Sequence, residues 1–274
     1  MVGTTKARAL LKSRLTEHQV ELAKRLMGFV LWSVHSNNSL TRLALEFEAE
    51  KQGRRGQPGM HHYMQHYERH FRPLHRRELR ILEIGIGGYD DPRGGGGSLR
   101  MWKAYFRRSR IFGIDIYDKT YHDESRIKTF RGSQTDADFL RRVVAEMGGV
   151  DIVIDDGSHV NAHVITSFEV LFPLLSANGI YVVEDTQTSY WPELGGGPRG
   201  GSGDVNAPQT SMDYFRALVD GLNFEEFPSQ DYEPTYFDRH IVAMHFYHNL
   251  VFVQKGLNNE GGGRAQYERY LGAD

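Results

Sequence analysis

The chain has 274 residues, 39% hydrophobic and 25% charged, with 33 Lys and Arg against 35 Asp and Glu for a formal net charge of -2. That balance gives no global basic surface for nucleic acid, and the lack of cysteine excludes disulfides, thiolate zinc sites and a cysteine nucleophile. The length suits one large α/β domain with an appendage. The opening residues 1–6 lack the apolar core of a signal peptide and no apolar stretch is long enough to span a bilayer, so the expectation is a soluble cytoplasmic protein.

In chain order, Leu10, Leu11, Leu15, Val20, Leu22, Leu26 and Val30 recur at helical spacing. Residues 7–50 therefore read as helix, broken at Ser36–Ser39 and resumed over Leu40–Glu50. Gly53–Gly59 is a loop, and His61–Phe71 is rich in histidine and aromatic residues. From residue 79 the texture changes. Predicted strands are Leu79–Ile84, Arg110–Ile116, Lys128–Arg131, Val150–Ile154 and Ile180–Val183. Predicted helices are Ser98–Phe106, Ala137–Met147 and His163–Leu175. Short apolar strands alternating with helices imply a parallel sheet covered on both faces. Thr210–Leu222 is a further helix. His240–Phe246 and Asn249–Gln254 are β-like runs separated by Tyr247 and His248 alone. So short a link permits an antiparallel hairpin and forbids a parallel crossover. The expected architecture is α/β: a mostly parallel seven-stranded sheet with a C-terminal antiparallel hairpin over 76–274, and a helical N-terminal extension or cap over 1–75.

The first strand runs into Glu83-Ile84-Gly85-Ile86-Gly87-Gly88. Glycines there let the backbone turn tightly and approach a ligand at a sheet edge. The dinucleotide fingerprint needs a third glycine where Asp90 stands, so a pyrophosphate cradle is disfavoured. A glycine turn preceded by an acid suits a ligand with an amino-acid moiety; the plainer alternative is a strand end. Asp115 closes the second strand, where a carboxylate can accept both ribose hydroxyls of an adenosine. It lies thirty residues beyond Gly85, and the inserted Tyr89–Gly97 accounts for the length. Ser133 and Gln134 follow the third strand and either meet an adenine edge or form a plain turn.

Two clusters carry the chemistry. Ile154-Asp155-Asp156-Gly157-Ser158-His159 and Val183-Glu184-Asp185 each follow an apolar strand. Carboxylates at the ends of neighbouring strands can converge on one hard divalent cation. His159 can take a proton near neutral pH from whatever that cation holds. The competing reading makes Asp155 and Asp156 helix caps and His159 a surface residue. The upstream glycines and the second acid pair weigh against it. Asp155 reads as a support or cofactor-side residue.

Together these residues resemble class I S-adenosylmethionine-dependent O-methyltransferases with a Rossmann-like sheet. A parallel sheet ending in a hairpin fits that fold better than the ordinary dinucleotide-binding one. A closer resemblance is to the magnesium-dependent sugar O-methyltransferases of the mycinamicin and related antibiotic-sugar type. It rests on Ile84-Gly85-Ile86-Gly87-Gly88-Tyr89-Asp90-Asp91-Pro92, the Asp156 and Glu184 clusters, and His61–Phe71, and covers about residues 60–255. It implies S-adenosyl-L-methionine on Glu83, Gly85, Gly87, Asp115, Ser133, Gln134 and Asp155, and Mg2+ on Asp156, Glu184 and Asp185. It implies His159 as the catalytic histidine and a sugar or oligosaccharide acceptor. The acceptor is an antibiotic or glycolipid deoxysugar, or a hexose of a bacterial polysaccharide.

Tyr190 and Trp191 follow the second acid pair and either stack on a sugar ring or anchor the loop. Residues 195–203 are glycine-rich and form either a mobile lid or a surface insertion. His62 and His66 have i,i+4 spacing without the carboxylate of a metalloprotease helix. A cap over the cofactor pocket fits better, with Tyr63 and Tyr67 near the cofactor carboxylate. Amphipathic N-terminal helices suggest a homo-oligomer, a dimer or tetramer. Two other functions compete: an iron oxygenase using Asp156, His159 and a second histidine, and a non-catalytic cofactor-binding assembly subunit.

Overall fold

The computed structural model describes residues 39–49, 51, 61–193, 200–227 and 231–271. The helix expected over 7–35, the Gly53–Gly59 loop and most of the glycine-rich 195–203 stretch lie outside them. Among the described residues, the strands are β1 (Arg80–Ile84), β2 (Arg110–Asp115), β3 (Ile127–Arg131), β4 (Val150–Asp155), β5 (Leu175–Glu184), β6 (Ile241–Tyr247) and β7 (Leu250–Lys255). The helices are α1 (Leu40–Glu46), α2 (Met64–Phe71), α3 (Gly97–Tyr105), α4 (Ala137–Met147), α5 (Asn161–Leu171), α6 (Ser211–Asp220), α7 (Tyr236–His240) and α8 (Arg264–Leu271).

The strands form one sheet in the order β3-β2-β1-β4-β5-β7-β6. β1 to β5 pair in parallel, and β7 is antiparallel to both β5 and β6. The expected parallel sheet with a terminal hairpin is what forms. The chain order reverses between β1 and β4, and the crevice beyond the carboxyl ends of strands at such a point is where ligands bind in open α/β sheets.

Local chemistry sets the boundaries. Asp136 caps α4 by accepting from the Phe139 amide, and Gly148 closes it in the left-handed region at φ 78°. Thr235 and Asp238 form a reciprocal capping box on α7. That helix takes His240, which the alternating pattern had assigned to a strand. α1 stops at Glu46, short of the expected Glu50, and Glu48 then turns left-handed at φ 55°. α5 ends at Leu171, ahead of Pro173, whose ring cannot continue a helix. β5 then begins at Leu175, five residues earlier than expected.

Strand residues alternate between two apolar layers, as the period of two requires. Ile81, Ile111, Ile152, Ile154 and Val182 pack on one side with Leu40, Leu43, Met64, Tyr67, Phe71 and Trp102. Leu82, Ile114, Val153, Tyr181 and Val183 pack on the other with α4, α5 and α6. The described residues before β1 thus share a core with the sheet. Among the described residues no helix is long and apolar enough to cross a membrane.

Phe168 is 0% exposed and lies within 5.1 Å, centroid to centroid, of Phe172, Tyr181 and Phe215. Phe168→Ala is expected to lower unfolding free energy by about 3–5 kcal/mol, read from the urea midpoint at unchanged slope.

Candidate functional site

Strand register brings the acids together. Ile84 pairs with Asp155, and Asp155 with Val183, so Gly85, Asp156 and Glu184 emerge side by side at the carboxyl edge of β1, β4 and β5. The Asp156 amide donates to the Ile84 carbonyl at 3.0 Å. Gly85 has φ +85°, and a Cβ there would run into the Asp156 carbonyl. Glycine is therefore what lets the first strand end beside the acid of the fourth.

Behind this edge lies a cation that sequence reasoning did not single out. Lys51 Nζ is 2.5 Å from Asp156 Oδ2, 2.7 Å from Glu184 Oε1 and 3.1 Å from Glu83 Oε1. Burial opposes its charge, but Asp156, Glu184 and Glu83 outweigh burial and hold the ammonium well above the usual lysine range. The Tyr67 hydroxyl donates to Glu184 Oε1 at 2.5 Å, and the Ser98 hydroxyl to Glu83 Oε2 at 2.7 Å. Burial, reinforced by Asp156, pushes Glu184 above the usual carboxylate range, and Lys51 works against that rise. Nothing in the local sequence marks Lys51, because its partners lie 32 to 133 residues away and no spacing rule connects them.

In front of the edge, Asp156, His159 and Asp185 each direct one donor atom into a space within which those atoms lie no more than 4.8 Å apart. His159 Nε2 is 3.9 Å from Asp156 Oδ1 and 3.7 Å from Asp185 Oδ2. Both His159 and Asp185 have left-handed backbones, at φ 55° and 56°. Non-glycine residues in that region carry strain that the surroundings must hold, and such strain concentrates at functional sites. The Tyr63 hydroxyl donates to Asp185 Oδ1 at 2.7 Å and His61 Nε2 stands 3.3 Å from the same oxygen. The hydroxyls of Tyr63 and Tyr67, two residues expected near a cofactor carboxylate, donate to Asp185 and Glu184. Glu184, expected beside Asp156 and Asp185 as a ligand, is turned inward and is not one of the three groups that converge in front.

The cofactor-side residues divide. Asp115 accepts from the Ile86 amide at 3.0 Å and the Tyr117 amide at 2.9 Å, tying the glycine turn to the tip of β2. Glu83 lies under that turn, fully buried. Asp155, expected as a support or cofactor-side residue, and Gln134, expected at an adenine edge or in a plain turn, are both held by the protein. Asp155 is 1% exposed and takes the Ser167 hydroxyl at 2.5 Å, the Tyr181 hydroxyl at 3.0 Å and Gln134 Nε2 at 3.3 Å. Gln134 Oε1 accepts from the Ser158 amide at 2.8 Å, so its carboxamide braces the loop carrying Asp156 and His159. Ser133 bonds Thr135 in a turn ahead of α4. Tyr190 and Trp191 are exposed at the end of a short 3-10 turn after Asp185. Ser189, buried beside them, holds Asn161 and Ser211 and so fastens that turn to the starts of α5 and α6.

His66 and His70 pack against aromatic rings. His66 stacks on Tyr247 at 3.9 Å and His70 on Phe252 at 4.2 Å. Burial, with His245 nearby, pushes His70 down to about 4.

A model of the Rhamnosyl O-methyltransferase/CmcI family matches residues 95–234. Over 206 residues the chain is 50% identical to Mycinamicin VI 2''-O-methyltransferase of Micromonospora griseorubida, covering 74% of this chain and 50% of the relative. It is 48% identical over 206 residues to 8-demethyl-8-alpha-L-rhamnosyl tetracenomycin-C 2'-O-methyltransferase of Streptomyces olivaceus, covering 75% and 53%. The solved structure of MycE methyltransferase from the mycinamycin biosynthetic pathway, in complex with Mg, SAH and mycinamycin VI, superposes with a TM-score of 0.76 at 46% identity, covering 83% of this chain and 56% of that one. The chain spans about half the length of the curated relatives it matches.

Gly85 and Gly87 provide a graded test. Both have positive φ, but a Cβ on Gly87 would meet nothing nearer than Gly95 Cα at 3.7 Å. Gly87→Ala is expected to cost about 1–2 kcal/mol of stability from backbone strain alone, and Gly85→Ala clearly more because it also displaces Asp156. Equal costs in chemical denaturation would contradict this account of the strand edge.

Proposed function

Because the chain belongs to the Rhamnosyl O-methyltransferase/CmcI family, we propose that it is a magnesium-dependent sugar O-methyltransferase using S-adenosylmethionine. The observation that carries this reading is the convergence of Asp156, His159 and Asp185 beside the glycine turn of β1. The donors fit the metal. Two exposed-side carboxylates offer hard oxygen atoms, as Mg2+ prefers. Asp156 and Asp185 would hold it, with Glu184 behind them. When bound, magnesium would lower the pKa of a sugar hydroxyl, and S-adenosylmethionine would supply an electrophilic methyl on a positive sulfur.

This chain's residues supply the rest. His159, a nitrogen donor less suited to magnesium, is free to take the hydroxyl proton on Nε2. The new bond joins the hydroxyl oxygen to the methyl carbon, and the carbon–sulfur bond breaks. Gly85, Gly87 and Asp115 would orient the cofactor, the glycines by close backbone approach and Asp115 by accepting ribose hydroxyls, while Glu83, buried beneath the turn, would brace it through Ser98 and Lys51. Asp155 and Gln134 act one layer back, fixing the Asp156–His159 loop. Tyr190 and Trp191, both exposed after the Asp185 segment, would stack on a sugar ring.

The acceptor we favour is a deoxysugar of an antibiotic-type glycoside, since the relatives quoted above act on such compounds. The iron oxygenase and the non-catalytic subunit have no support in the comparisons. Tyr267, Tyr270 and Leu271 of α8, all exposed, support association into a homo-oligomer.

Methyl transfer from labelled cofactor to rhamnosyl glycosides, with and without chelator, tests the reading. Chelator is expected to abolish transfer, and Mg2+ to restore it. His159→Ala is expected to lower kcat by about 10²–10⁴ with little change in cofactor affinity. Full turnover in excess chelator would refute the mechanism.

A further inference from the structure

We infer that Lys51 is a positioning residue for the divalent cation, a fixed internal counter-ion that aims Asp156 toward it. This rests on the reading of Asp156 and Asp185 as cation-holding groups.

Exposure separates the two sides of the cluster. The Lys51 side chain is 3% exposed and Glu184 2%, whereas Asp156, His159 and Asp185 are 27%, 29% and 18% exposed. Lys51 therefore forms the floor of the site and the other three its mouth. Asp156 divides its two oxygens accordingly. Oδ2 faces Lys51 at 2.5 Å, and Oδ1 faces His159 at 3.9 Å. An ammonium carries three donors and no acceptor, and three carboxylates lie within 3.1 Å of this one. Glu83 and Glu184 anchor it, since each is also held by a hydroxyl, Ser98 on one and Tyr67 on the other. Without the ammonium, three carboxylates around one point repel one another. Asp156, the least buried of them, is the one free to swing outward.

The competing role for a cation in this place is that of an ammonium displaced by a metal. The two roles predict opposite signs. A positioning lysine makes cation binding tighter, and a displaced one makes it weaker.

Manganese is the probe, with free Mn2+ followed by electron paramagnetic resonance. Lys51→Met is expected to weaken Mn2+ binding at least tenfold in protein whose circular dichroism matches the native. Lys51→Ala is expected to bind as weakly and to regain affinity when ethylamine or propylamine is added, which a merely structural substitution would not do. Unchanged or tighter Mn2+ binding in Lys51→Met overturns the inference. A second measurement needs no variant. Acylation of native protein, mapped by mass spectrometry, is expected to leave Lys51 protected with and without Mn2+. Labelling of Lys51 that rises on Mn2+ addition shows displacement and overturns the inference. If the native chain takes up no Mn2+, the cation site itself falls, and this inference with it. Equal affinities in native and variant sink the inference alone.

Discussion

Like charges must be brought together at the end of a parallel sheet, and that requirement governs the structure. Parallel pairing of β1, β4 and β5 leaves their carboxyl ends level, so Glu83, Asp156 and Glu184 cannot avoid one another. A buried carboxylate without a partner is costly, and removing one member of a buried ion pair typically costs about 3–5 kcal/mol. Lys51 answers that cost from the far side of the chain. Tyr67, Tyr63 and Ser98 answer it with hydroxyls. Lys51, Tyr63 and Tyr67, which precede the first strand, are in this sense part of the sheet's electrostatics.

The acids are sorted by depth. Asp155 and Asp156 are consecutive, yet alternation along the strand sends one inward to Ser167 and Tyr181 and the other to the edge. Glu184 and Asp185 repeat the pattern, and the left-handed backbone of Asp185 turns its carboxylate toward His159. One member of each pair is buried and its neighbour is partly exposed. The inner members stiffen the loops that carry the outer ones, a division of labour suited to groups that must meet a ligand in fixed geometry.

The sheet was legible because its signals are local. Apolar runs such as Val150–Ile154, the turn at Gly85 and the short link between the last two strands each carry their meaning within a few residues. The acid clusters were legible for the same reason. Depth was not. Asp155 and Gln134 are polar residues at strand ends, and only the packing of α5 against β4 decides that they face inward. Tyr63 and Tyr67 could be placed near the site from their position, but the partner of each hydroxyl depends on strands more than a hundred residues later. Lys51 lies at the extreme of this limit, a single charged residue beside a glycine-rich stretch.

The reversal of β7 has a consequence for when the site exists. In a wholly parallel sheet every strand would deliver its end to the ligand edge. Here β7 delivers its beginning, and Leu250 pairs with Glu184 while the Asn249 carbonyl receives the Tyr63 hydroxyl at 3.2 Å. Asn249 also accepts from the Thr186 amide at 3.3 Å, beside Asp185. The wall of the acid cluster is therefore built by residues that are synthesised after all five parallel strands. During synthesis the carboxylates of β4 and β5 wait unpaired by that strand, and the pocket takes shape only when the returning hairpin docks.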